Sequence, residues 1–342
     1  MKILITGGCG FVGSNIAIYL KKNLKKVKIY SLDNLSRKGS SINKKRLSKN
    51  KIKNFNFNIE NFKKIKLLPR FDLIIDCCAE PAIEASKYDA DRVFNTNLLG
   101  TFNILKKCLK DKANIIFLSS SRVYSIQKLR DLVKKTNLSK PLRIKYKINE
   151  NFVTSSASSL YGFTKLASEK LIKEMFYKTN LKFIINRFGV IAGPWQFGKQ
   201  DQGFVPLWVA KHFLKRKLSY IGFGGKGHQV RDILHVKDAC DIILIQIKKI
   251  RKINNKVFNI GGEINNSISL KDLTIKCEQL TKNKIKFKSV SKTSLFDIPY
   301  YVSDNSKLIK FYKWKPSRNI DKILMDIYNW LTKNKIIRNY FL

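Results

Sequence analysis

Acidic residues are scarce in this chain: 24 Asp and Glu stand against 68 Lys and Arg, a formal net charge of +44 over 342 residues. Such an imbalance first suggests a nucleic-acid partner. The lysines, however, are spread over nearly every segment, with no dominant block and no recognisable nucleic-acid module. The excess reads as pervasive Lys, Asn and Ile enrichment of the kind an AT-rich genome encodes, and no nucleic-acid partner is expected. The same field would attract anionic small molecules. Histidine is rarer still. His212 and His228 fall in basic stretches and His235 precedes a helix, so there is no Ser-His-Asp order and no metal-ligand spacing. The six cysteines (Cys9, Cys77, Cys78, Cys108, Cys240, Cys277) form no C-x-x-C pair and mostly sit in apolar patterns. They read as buried thiols of a reducing compartment rather than a disulfide framework or a zinc site. No apolar run approaches a membrane span. The first strand pattern begins at residue 2 and leaves no room for a signal peptide, so a cytoplasmic protein without membrane attachment is expected.

What the chain does have is concentrated in its first thirty-three residues. Lys2-Ile-Leu-Ile-Thr6 is a short β-branched run and reads as a buried strand. Gly7-Gly-Cys-Gly10-Phe-Val-Gly13 follows, and Ser14 to Leu24 carries apolar residues at helical spacing. A second strand, Val27 to Leu32, ends on Asp33. Glycines at 7, 10 and 13 permit a tight turn and let backbone N–H groups approach a pyrophosphate without an intervening Cβ. The helix opening there turns its unpaired N–H groups and positive dipole end toward the phosphates. Asp33 lies where a carboxylate accepts hydrogen bonds from adenosine ribose hydroxyls, and its charge disfavours a 2′-phosphate, which favours NAD over NADP. The candidate cofactor contacts are Gly7, Gly10, Phe11, Val12, Gly13 and Asp33, with Asn34, Ser36 and Arg37 in the polar loop beyond. Arg37 and Lys38 leave the NADP alternative open.

The first half of the chain alternates strand and helix. Lys53–Asn58, Asp72–Cys78, Ala113–Leu118 and Leu181–Phe188 read as further strands, and the continuous apolar run at 72–78 is typical of a parallel sheet buried on both faces. This pattern predicts an α/β fold with a doubly wound parallel sheet of Rossmann type. Ala79-Glu80-Pro81-Ala82 turns the chain on the expected nicotinamide side. Asn97 lies in a helix predicted over 95–110; it either bonds neighbouring backbone and shapes the site or is an ordinary polar helix residue. Ser119, Ser120 and Ser121 end a strand at the carboxyl edge, where such sheets bind ligands. Residues 126–153 read as a lysine-rich loop insert with one helical turn. Beyond Arg187 the pattern changes. Residues 193–203 are glycine-punctuated, with amides, charges and Trp195, a composition suited to sugar and base recognition. Arg231 is a candidate for phosphate, the alternative being a structural pair with Asp232 or Asp238. Two amphipathic helices are expected at 269–280 and 320–331, and no internal repeat appears. A smaller, mixed α/β C-terminal substrate-binding domain is therefore expected.

The catalytic candidates are Ser120, Tyr161 and Lys165. Tyr161 and Lys165 stand four apart and share one helix face, together with an expected core side that includes Phe163. A tyrosine hydroxyl ordinarily titrates near 10, and a nearby ammonium with an oxidised nicotinamide stabilises the phenolate. With a serine donating to the substrate oxygen, this set suits moving a hydride between a carbinol carbon and NAD while tyrosine takes the hydroxyl proton.

Over essentially its whole length the chain resembles the extended short-chain dehydrogenases of the NAD-dependent epimerase/dehydratase family. The matching stretches are TGGCGFVG, Asp33, N-x-x-G-T from Asn97, SSSRVY, YGFTK, Arg187 with Gly193-Pro194, and VRDILHV. The resemblance implies that the catalytic hydroxyl is Ser120, three residues before the valine of V-Y, with Ser121 as its neighbour. Tyr161 and Lys165 take the other two roles. It places Asn58 and Ile59 where the family has an Asp and an apolar residue against adenine, and adds Ala79 to the cofactor contacts. Glu80, Ser121, Arg122, Gln196, Gln202, Gly203, Arg231 and Asp304 become substrate candidates. DNLSRKGS, AEPA, the insert, NRFGVIAGPWQFGKQDQGF and DIPYYVSDNSK are similar to a branch acting at C2 of CDP-hexoses; UDP-hexose 4-epimerisation is the alternative. Dehydratases of the family carry Asp-Glu directly after the catalytic hydroxyl. Ser121 and Arg122 stand there here, so epimerisation or simple oxidation/reduction is expected instead. The resemblance further implies NAD, a CDP- or UDP-sugar, no metal, and a homo-oligomer, dimer or tetramer. It implies a cofactor domain over 1–186, with 233–260 returning to it, and a sugar-nucleotide domain over 187–232 and 261–342.

Overall fold

Short apolar segments, five of them within the first 120 residues, assemble into a seven-stranded sheet in a computed structural model that describes residues 1–81, 88–134, 145–156, 158–199 and 202–341. The described strands are β1 (Lys2–Thr6), β2 (Lys28–Leu32), β3 (Lys53–Phe55), β4 (Leu73–Asp76), β5 (Asn114–Ser120), β6 (Phe183–Phe188), β7 (Val190–Ala192), β8 (Leu218–Ile221), β9 (Val230–His235), β10 (Lys256–Ile260), β11 (Ser267–Ser269), β12 (Phe287–Val290) and β13 (Tyr300–Tyr301). The large sheet runs β3-β2-β1-β4-β5-β6-β10, and β1 pairs in parallel with both β2 and β4. The order reverses direction at β1 and β4, which is the topological switch point of a doubly wound fold and the place where such sheets take ligands. A core of Leu4, Ile74, Ile104, Ile115, Phe117, Ile172 and Ile185 packs the strands against their helices.

Two compact units result. The first holds Met1–Val123, Ser159–Arg187 and Ala239–Phe258; the second holds Tyr124–Ser158, Phe188–Asp238 and Asn259–Leu342. The second unit is built on β9, flanked by β11 and β13 with β7 alongside, and on the β12–β8 pair. Its core includes Trp208, Ile233, Leu273, Ile327 and Trp330. Among the described residues no helix is long and apolar enough to cross a membrane.

Several elements differ from the pattern read in the sequence, each for a local reason. β3 stops at Phe55 rather than Asn58, because its neighbour β2 ends at Leu32, the register partner of Phe55. The helix expected over 95–110 begins earlier, at Ala90, and passes through a π-turn at Asn95–Leu99 before continuing as Gly100–Asp111. Phe163, expected on the core side of its helix, is 53% exposed. Residues 230–235, read as the approach to a helix, are the central strand of the second unit. The insert is more ordered than a loop at both ends. Ser125 caps a helix over Ile126–Asp131, and Ile148 bridges to Ser303. That bridge, the Tyr300 hydroxyl bond to the Tyr146 carbonyl, and Arg130 donating to the carbonyls of Ser294, Leu295 and Asp297 group the insert with the second unit. The centre of the insert (135–144), Ala82 of the AEPA turn, and Gln200 and Asp201 lie outside the described residues.

Candidate active site

The glycine turn between β1 and the Phe11–Asn23 helix is compact enough that side chains are barred from it. Gly7 adopts φ +59°, and a Cβ there would lie 2.9 Å from the Cys77 carbonyl oxygen. A Cβ on Gly13 would lie 2.4 Å from the Gly7 carbonyl. Gly10 is the N-cap and supplies no capping side chain, and the first turn holds no acid. The helix start is therefore a cradle of backbone donors with positive dipole character, which fits the pyrophosphate of a dinucleotide. Asp33 braces this turn: its carboxylate accepts the N–H groups of Cys9 (2.9 Å) and Leu35 (2.8 Å). Burial raises its carboxyl above the ordinary value, against the pull of those N–H bonds. Asn34 donates to Asn58 (2.7 Å), joining the loops after β2 and β3. Ile59 is buried, and a Cβ on Gly100 would come within 2.6 Å of its side chain, so glycine there lets the helix close on it.

Ser120 closes β5, and its Oγ accepts the Arg122 N–H (3.2 Å), which leaves its proton to donate elsewhere. Tyr161 and Lys165 occupy the first two turns of the Leu160–Phe176 helix, capped by Ser159, whose side chain accepts the Gly162 N–H. Lys165 is buried; its ammonium donates to the Leu118 carbonyl (3.0 Å) and lies 4.5 Å from the centre of the Phe117 ring. Four residues further along the same helix, Glu169 accepts from Ser119 (2.5 Å) and takes a bidentate grip from Arg187, at 2.7 to 3.2 Å. This buried knot ties the end of β5, the Leu160–Phe176 helix and β6 together, so Ser120 and Lys165 sit on one frame. Asn97, inside the π-turn, is buried and bonds neighbouring backbone. Its carboxamide accepts the Glu80 N–H (2.7 Å), donates to the Glu80 carbonyl (3.2 Å) and donates to Thr164 Oγ1 (3.2 Å). Asp76, fully buried at the end of β4, receives Thr6, Thr101 and the Cys78 N–H.

The structure thus brings together in the first unit Gly7, Gly10, Phe11, Val12, Gly13, Asp33, Asn34, Ser36, Arg37, Asn58, Ile59, Ala79, Glu80, Asn97, Ser120, Ser121, Arg122, Tyr161 and Lys165, all on the carboxyl side of the strands. Glu80, a substrate candidate from the sequence, is buried and ion-paired with both Arg37 and Arg92. The remaining substrate candidates fall in the second unit. Gln196 packs on Gly203, whose Cβ would lie 3.1 Å from Gln196 Nε2, and Gln202 exchanges backbone bonds with Lys199. The Gln196 Oε1 is buried with no hydrogen-bond partner among the described residues. Arg231 donates to Asp297 (3.1 Å) and to the Val230 and Ile298 carbonyls. Asp304 is held by Ser306 and Lys147 (3.3 Å); against the opposing effect of burial, these hold its carboxyl below the ordinary value. Asp297, Lys147 and Thr164 escaped the sequence reading, because each acts on a partner distant in sequence or through its own helix. Glu169 was detectable, since it repeats the Tyr161–Lys165 spacing by one more step.

Residues 3–261 match the profile of the NAD dependent epimerase/dehydratase family. Over 344 residues the chain is 28% identical to a CDP-paratose 2-epimerase of Salmonella typhi, covering 96% of this chain and 99% of that protein. It is 27% identical to a putative UDP-glucose 4-epimerase of Methanocaldococcus jannaschii, covering 97% and 99%. In three dimensions it is similar to a UDP-glucuronic acid 4-epimerase of Bacillus cereus solved with UDP-glucuronic acid and NAD, with a TM-score of 0.82, 22% identity, and 97% and 99% of the two chains covered.

Proposed function

The chain belongs to the NAD-dependent epimerase/dehydratase family, and on that premise we propose that it inverts C2 of a CDP-linked hexose through a 2-keto sugar. The observation that supports the reading is the set of buried bonds joining the end of β5, which bears Ser120, to the helix that bears Tyr161 and Lys165. NAD is the cofactor, and when bound it accepts the hydride and returns it. Ser120 donates its hydroxyl proton in a hydrogen bond to the reacting sugar oxygen. Tyr161 takes the proton of the sugar's C2 hydroxyl as the hydride leaves C2, and returns it to that oxygen after inversion. Lys165 shares a helix face with Tyr161, and its bond to the Leu118 carbonyl fixes the ammonium beside the strand that ends on Ser120. Asn97 fixes the backbone at Glu80 relative to the catalytic helix. Asp33, the glycine turn and Ile59 hold the adenosine half and pyrophosphate; Asn34, Ser36, Asn58 and Ala79 complete that contact. Arg231, Gln196, Gln202, Gly203 and Asp304 take the nucleotide and sugar, with Arg231 exchanging Asp297 for a phosphate.

The choice of C2 and of cytidine rests on the likeness to the CDP-paratose 2-epimerase over nearly the whole of both chains. The absence of a carboxylate pair at Ser121 and Arg122 disfavours dehydration. A second reading, 4-epimerisation of a UDP-hexose, uses the same three residues and is supported by the likeness to the Methanocaldococcus jannaschii protein. Proton NMR of the purified protein with CDP- and UDP-hexoses in D₂O separates them. Inversion at C2 of a CDP-sugar without solvent deuterium supports the proposal. Inversion at C4 of a UDP-sugar establishes the second reading, and deuterium at the inverted carbon replaces hydride return with proton abstraction.

A further inference from the structure

β1 lies between β2 and β4 in the sheet, and all three strands are parallel. Adjacent strands are about 4.8 Å apart, so β2 and β4 stand roughly 10 Å from each other with β1 in the gap. Their trailing loops leave from the same edge as the Gly7–Gly13 turn, one on either side of it. The Arg37 guanidinium on the β2 loop is in direct contact with the Glu80 carboxylate on the β4 loop. A side-chain link between those two loops crosses the crevice that opens above β1, where the glycine cradle faces the dinucleotide.

The two ends of the link are unequal. Glu80 is a fixed post. Its side chain is 5% exposed, its second carboxylate oxygen takes Arg92 at 2.9 Å, and its backbone N–H and C=O are both bonded by Asn97. Arg37 is the more exposed partner, at 34%, and stands on a polar loop between the left-handed residues Leu35 (φ +62°) and Gly39 (φ +85°). A carboxylate that holds two arginines keeps its charge satisfied when one of them swings away, so opening on the Arg37 side leaves no buried charge alone.

We propose that the Arg37–Glu80 ion pair is a retaining strap: the dinucleotide leaves its cradle after Arg37 releases Glu80, and the pair sets how long the cofactor stays. It rests on the placement of NAD in the glycine cradle. An enzyme that returns its hydride to the same sugar has no need to exchange NAD between turnovers, and a closed strap suits that cycle. A long-lived complex also keeps reduced cofactor from escaping with the hydride.

Release is measured directly. The protein is loaded with NADH, chased with excess NAD, and followed by the loss of energy transfer from its four tryptophans to bound NADH. Arg37→Ala is expected to release NADH at least tenfold faster than wild type, and Arg37→Lys to fall between. Glu80→Gln, which keeps the side-chain shape, is expected to match or exceed Arg37→Ala. Raising NaCl to 1 M should speed wild-type release toward that of Arg37→Ala and change the variant less, since the screened pair exists only in wild type. Far-ultraviolet dichroism and thermal midpoints confirm that the variants are folded. Release from folded Arg37→Ala within twofold of wild type overturns the strap. A wild-type chain that binds no NADH overturns the cofactor placement and the strap with it.

Discussion

Asp232→Asn should stabilise this protein, and increasingly so as pH rises. Asp232 sits on β9 with no exposed surface, and one of its carboxylate oxygens accepts the N–H groups of Ser303 (3.1 Å) and Glu263 (3.2 Å). Burial raises its carboxyl from 3.8 to about 6, against the pull of those two N–H bonds. A carboxyl whose folded value is raised holds its proton more tightly when folded. Its contribution to stability is therefore complete below pH 3.8 and is lost as pH climbs through about 6. At 1.36 kcal/mol per pH unit, the charged form costs about 3 kcal/mol above pH 7. Asparagine keeps one oxygen for both N–H groups and removes the charge. Urea unfolding followed by dichroism at pH 4, 5, 6 and 7.5 gives the variant-minus-wild-type difference. It should start near zero and grow to about 3 kcal/mol. His235 belongs to both proteins, so it cancels in that difference. Burial lowers its value to about 4 despite Asp326, so it adds stability above pH 6.5 that fades as pH falls. A difference that stays flat across the range, or shrinks with pH, refutes the argument from burial.

Other perturbations test the site. Tyr161→Phe should lower turnover by about 10³-fold while the purified protein retains its NAD, measured as cofactor released on denaturation. Gly13→Ala places a methyl 2.4 Å from a backbone carbonyl that cannot yield, and should weaken NAD binding at least about 100-fold by calorimetry. Glu169→Gln removes the carboxylate charge paired with the buried Arg187 and should cost about 3–5 kcal/mol in chemical unfolding. A loss below about 1 kcal/mol would show that the Ser119–Glu169–Arg187 knot does not hold the frame.

Local pattern made much of this legible. The glycine spacing, Asp33, and the Tyr161–Lys165 step each depend on neighbours within a turn or two of the chain, and so do six strands of the large sheet. What escaped reading depends on one extra residue or on long separations. The π-turn at Asn95–Leu99 inserts a residue that rotates Asn97 inward, and no apolar periodicity reports that shift. Phe163 fits the apolar face by spacing, yet the inner face of that helix is taken by Lys165, Ser168 and Glu169, polar residues whose distant partners on β5, on β6 and in the π-turn are invisible in sequence. Glu80 and Arg231 carry the charge expected of ligand contacts, but each already has a protein partner, Arg37 and Asp297, that no local motif announces. The insert illustrates the same limit. Ile148 and Arg130 are unremarkable in their own surroundings and gain meaning only from Ser303 and the 294–297 carbonyls.

The position of β10 at the rim of the large sheet shapes how the chain is made. β6 is complete at Phe188 and buried along its whole length, yet its outer neighbour does not begin until Lys256. While a ribosome is still translating the residues between them, the nascent chain displays an apolar strand with an open ladder, the kind of edge that recruits a neighbouring chain. A chain cut short before residue 256 would keep that edge of β6 open.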